Sequence, residues 1–100
     1  MKEFKIESST PDQFSEKITR IMRGGELGKI ASIKRINNEM IISFSKFGTS
    51  TMVYTLEEIG NGFKASLKKE KIAITHSLLK SEIESKLSVL MQRLGAIIIS

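Results

Sequence analysis

Between residues 29 and 72 apolar side chains fall on every second position in a series of short runs, and each run ends in residues that turn a chain. Met40, Ile42 and Phe44 share one face of a run, Met52, Tyr54 and Leu56 share one face of the next, and Phe63, Ala65 and Leu67 one face of the last. Period-two alternation marks strands with one face buried and one face wet. Asn37-Asn38, Gly48-Thr49-Ser50 and Gly60-Asn61-Gly62 stand between the runs, and asparagine and glycine accept the positive φ that tight hairpins need. Connections this short join strands running in opposite directions, so the segment is expected to form a four-stranded antiparallel meander. Its first run, residues 29–36, carries isoleucines at 30, 33 and 36, a spacing that breaks the alternation and predicts a bulge.

Helical signals flank the meander. Thr10-Pro11-Asp12-Gln13 places a hydroxyl at an N-cap, proline at the first helical position and glutamine three residues after the cap, the composition of a capping box. Phe14, Ile18, Ile21 and Met22 follow at i, i+4, i+7 and i+8 as one apolar stripe, and Gly24-Gly25 are expected to stop the helix in a left-handed conformation. After the meander, Leu79, Ile83, Leu87, Leu90, Met91 and Leu94 recur at helical spacing, with Lys80, Glu82, Glu84 and Lys86 on the other face. Thr75 or Ser77 is expected to cap this second helix and Gly95 to end it. Phe4-Lys5-Ile6 alternates as a short strand ahead of the first helix. At the far end Ala96-Ile97-Ile98-Ile99 is β-branched and too apolar to stay loose in water, which predicts a short strand or packed arm. Such an arm could close the sheet edge within the chain or pair with a second copy as a homodimer contact.

One hundred residues suffice for one domain with one core, and there is no linker, repeat or low-complexity segment. The expected architecture is α+β: a two-layer sandwich, five mainly antiparallel strands with two helices on one face, in the order β-α-β-β-β-β-α. The opposite sheet face would carry Ser43, Ser45, Thr55, Lys64, Ser66 and Lys68 into water. This order, built on residues 4–6, 10–25, 29–72 and 77–94, resembles a reduced helix-grip fold, the layout of the Bet v 1 and START-like ligand carriers. It also resembles the small archaeal domains related in shape to the TATA-binding protein. The resemblance is one of topology; it assigns no residue, and it implies a ligand or partner gripped between sheet and C-terminal helix.

Composition narrows the chemistry. With no cysteine, disulfides and thiolate metal sites are excluded, and a cytoplasmic setting is expected. The apolar run at 96–99 is far shorter than the ~20 residues that span a bilayer, and no apolar stretch follows Met1, Lys2, Glu3 and Lys5 as a signal peptide would require. The net charge of +5 rests mainly on lysine, a flexible point charge, rather than on arginine, which makes bidentate contacts to phosphate.

Candidate catalytic groups do not assemble. His76 is the single histidine and is expected to be a surface or capping residue. Glu57 and Glu58 are strand neighbours and point to opposite faces. Ser8-Ser9-Thr10 suits helix capping; a serine nucleophile would need a positioned base. Gly24-Gly25-Glu26-Leu27-Gly28 follows a helix, whereas phosphate-cradling loops precede one. The expectation is therefore a non-enzymatic binding or interaction domain without a cofactor or metal. Two sites are nominated. Met22, Phe44, Met52, Tyr54 and Met91 would line an apolar pocket for a small ligand or partner between the sheet and the last helix. Lys64, Lys68, Lys69 and Lys71 would form a basic patch on the open sheet face, which suits nucleic acid as the alternative partner, or else guards the sheet against edge pairing.

Overall fold

The structure, a computed structural model, describes residues 1–46, 48–73 and 80–100. In chain order they form β1 (Glu3–Ile6), α1 (Pro11–Met22), α2 (Leu27–Ile30), β2 (Ala31–Ile36), β3 (Glu39–Ser45), β4 (Thr49–Ile59), β5 (Gly62–Lys71), α3 (Lys80–Arg93) and β6 (Ala96–Ile98). The strands make one antiparallel sheet in the order β2-β3-β4-β5-β1-β6. The α+β architecture and the meander are as expected, but there are six strands rather than five and three helices rather than two.

Both extra elements have physical causes. The tail at residues 96–98 takes up strand pairing with β1, Phe4 opposite Ile98 and Ile6 opposite Ala96, so a strand only four residues long lies inside the sheet. The spacing at residues 30, 33 and 36 reflects a change of structure: Ile30 ends helix α2, while Ile33 and Ile36 belong to β2. The β2–β3 register runs without a shift, so the expected bulge is not there. The irregularity falls between β4 and β5, where Val53 opposes Lys69 and Tyr54 opposes Leu67, leaving Lys68 without an opposite residue.

The capping box at the start of α1 is complete. Gln13 N–H donates to Thr10 Oγ1 at 3.2 Å, and Thr10 N–H donates to Gln13 Oε1 at 3.0 Å, with Pro11 next in the helix. The other end differs from expectation. Helix α1 stops at Met22 with Arg23 still right-handed, and Gly24 and Gly25 are not among the positive-φ residues. Gly95 does carry the left-handed turn after α3, with φ of 93°. Asn37, at φ of 54°, makes the β2–β3 hairpin turn. The expected cap at Thr75 or Ser77, Leu79 and His76 lie outside the described residues.

One cluster forms the core. The inward sheet face supplies Phe4, Ile6, Met40, Ile42, Phe44, Met52, Tyr54 and Phe63, and the helices lay Phe14, Ile18, Met22, Leu27, Ile83, Leu87 and Met91 on it. Phe4 sits at its centre, with ring centroids 5.3 Å from Tyr54 and 6.2 Å from Phe14. The ring pairs are tilted or edge-on, the orientations their quadrupoles favour. Tyr54 donates its hydroxyl to the Met1 carbonyl at 2.6 Å, which satisfies the one polar atom this ring brings into the interior.

Candidate functional site

Helix α2 shapes the surface between the other two helices. Gly28 allows it to fold against the end of α1: a Cβ there would lie 2.1 Å from the Met22 carbonyl oxygen, a contact no side chain survives. With α2 held there, a recess of about 440 Å³ opens between α1 and α3, lined among others by Ile21, Met22, Leu27, Val89, Leu90 and Arg93. A second recess of about 380 Å³ between α2 and α3 shares Glu26, Leu27 and Lys86 with it and continues past Ile30 and Ile83. The two make one groove along α3 from Arg93 to Glu82. Ile21 and Val89 stand on its two walls at 42% and 47% exposure. Its rim carries the Lys86–Glu82 and Lys29–Glu26 ion pairs at 3.1 and 3.6 Å, whereas Arg93 makes no ion pair among the described residues.

The five nominated pocket residues are all buried in the core cluster. Met22 also lines the groove; Phe44, Met52, Tyr54 and Met91 face the interior and do not reach it. Ile21, placed on the core stripe by spacing, is instead at the surface, and Val89 lies off the Ile83-Leu87-Met91 stripe altogether. An apolar residue out of register with its helix's core stripe was the available sign of a wall on this side.

Burial pushes the Tyr54 hydroxyl well above its ordinary value, helped by the carboxylates of Glu84 and Glu70, so it stays protonated and acts only as a hydrogen-bond donor. Among the described residues no three histidine, cysteine, aspartate or glutamate side chains converge as a metal site, and no helix is long and apolar enough to cross a membrane.

On the open sheet face, the four nominated lysines divide. Lys64 pairs with Glu3 at 2.8 Å and Lys68 with Glu39 at 2.7 Å, and each bond holds its glutamate below the usual carboxylate range. Lys69 and Lys71 lie opposite Val53 and Thr51 and make no ion pair among the described residues. The register adds two cations from neighbouring strands: Lys5 opposes Lys64, and Lys34 stands in the row Lys34-Ile41-Val53-Lys69. Six lysines thus meet three glutamates (Glu3, Glu39 and Glu57) on this face, a surplus of three against the chain's net +5. Ile41, partly exposed, places apolar surface in the middle of it, and Val53 beside it is buried.

Comparison of the chain with protein-family models, with curated proteins and with solved structures finds no match.

Proposed function

We propose that this protein is a non-catalytic interaction domain whose groove between α1 and α3 takes an amphipathic helical segment of a partner protein. The observation that carries the reading is the pair Ile21 and Val89, half-exposed on opposite walls above a floor of Met22, Leu27 and Leu90. Small ligands bind in recesses that bury most of their surface. A groove open along its length suits instead an apolar helix face laid into it. From Glu82 to Arg93 the groove follows eleven steps of α3, roughly 16 Å or three helical turns. Arg93, without an ion pair among the described residues, favours an acidic residue at that end of the partner. A helical peptide library with apolar residues at i, i+4 and i+7 and acidic flanks, selected against the full chain, tests this. Selected binders should lose affinity at least tenfold on Val89→Asp and on Ile21→Asp, and binders indifferent to both substitutions would reject the groove.

A second reading is supported by the lysine surplus on the open face: a nucleic-acid strand lying across Lys5, Lys34, Lys69 and Lys71. Such binding weakens steeply with salt as counterions are released. Absence of DNA retention at low salt, or retention unchanged by Lys69→Glu with Lys71→Glu, eliminates it.

A further inference from the structure

We propose that two copies of this chain join through the free edge of β6, making one continuous twelve-stranded sheet; the idea stands apart from what the groove takes. The sheet is open and so has two edges, β2 and β6. Exposed strand edges template pairing with other strands, and charges along them are the usual guard. The β2 edge is guarded by Lys34 and Arg35, the latter held by Asp12 at 3.0 Å. Residues 96–100, by contrast, carry no charged side chain.

The local geometry is self-complementary. Ile99 N–H donates inward to the Glu3 carbonyl at 2.9 Å. Backbone groups alternate sides along an antiparallel strand, so the N–H and C=O of Ile98 point out of the sheet. A two-fold axis at Ile98 lets the two Ile98 residues exchange both hydrogen bonds. The same register sets Ile97 of each copy opposite Ile99 of the other, on the open face. These two side chains are 48% and 50% exposed, and the pairing would cover all four at once.

The helix layer permits the approach. Helix α3 packs on β6 while α1 packs on β2, so α3 is the helix that borders this edge, with one flank turned away from the groove. Helical spacing puts Ser81, Ser88 and Gln92 on that flank. Its one charge, Glu84, is already held by the Met1 ammonium at 3.2 Å. Two copies each carrying +5 repel one another, and an edge without charged side chains is where that repulsion is least. A second copy fits these conditions because a two-fold contact sets each residue against its own symmetry-related row, which like charges would forbid.

Sedimentation velocity over a range of concentrations, at low and moderate salt, is the test. The expected result is a monomer–dimer equilibrium that stops at the dimer and tightens as salt screens the repulsion. Ile97→Lys with Ile99→Lys should abolish the dimer while leaving the circular dichroism spectrum intact, since both side chains are half-exposed. In the unsubstituted protein, exchange of the Ile98 amide should slow as concentration rises, a readout that holds even if the double variant folds poorly. A monomer at every concentration, a series growing past the dimer, or an Ile98 amide indifferent to concentration would overturn the proposal.

Discussion

Thr10 and Gln13 satisfy each other's backbone N–H groups at the start of α1, and neither contact depends on the rest of the molecule. Thr10→Ala removes one acceptor and should cost ~1 kcal/mol, read as a lower denaturation midpoint at unchanged slope. Tyr54 shows the opposite dependence, since its raised pKa comes first from burial and then from Glu84 and Glu70. The folded value lies above the unfolded one, so the stability this provides is complete below about pH 10, the ordinary tyrosine value, and falls away as pH rises toward the folded value. Tyr54 is the only tyrosine and there is no tryptophan, so phenolate absorbance reports it alone. On alkaline titration the phenolate should appear together with the loss of helical circular dichroism. Phenolate rising well before unfolding would mean the hydroxyl is reachable by water in the native state.

At the scale of elements, the close approach of β1 to β5 rests on Gly62. A Cβ at that position would lie 1.8 Å from the Ile6 carbonyl oxygen, backbone that cannot give way without separating the strands. Gly62→Ala should therefore destabilise by at least ~2 kcal/mol. Gly60, two residues earlier in the same turn, has open space around it and only a positive φ to lose, so Gly60→Ala should cost ~1 kcal/mol. Equal losses in the two variants, measured by urea denaturation, would show that the turn conformation and not strand contact is what glycine serves here. The turn chemistry at 60–62 was plain in the sequence, but which glycine meets another strand was not. The clash partner is 56 residues away along the chain and reaches Gly62 only because β1 inserts between β5 and β6.

For the molecule as a whole, β6 closes one side of β1 and brings Ala96 and Ile98 onto the core. Deleting residues 96–100 exposes that flank and should cost ~1–3 kcal/mol of apolar burial. For a domain of this size that lowers the melting temperature by roughly 4–8 °C per kcal/mol. An unchanged melting temperature would mean that the strand adds nothing to the fold. The chain's own pattern determined the strand faces of the meander, the capped start of α1, the inward stripe of α3 and the apolar character of the tail. Each depends on residues within a few positions, through pleat, helical repeat or capping geometry. Tertiary structure alone decided that β1 lies inside the sheet, that residues 27–30 form a helix, and that Ile21 and Val89 flank a groove while Phe44, Met52 and Met91 fill the interior. It also decided which lysines on the open face are ion-paired, because Lys64 and Lys68 meet Glu3 and Glu39 only across neighbouring strands. Spacing along the chain says which residues share a face; what lies opposite that face depends on how distant segments stack, and local periodicity carries no information about that.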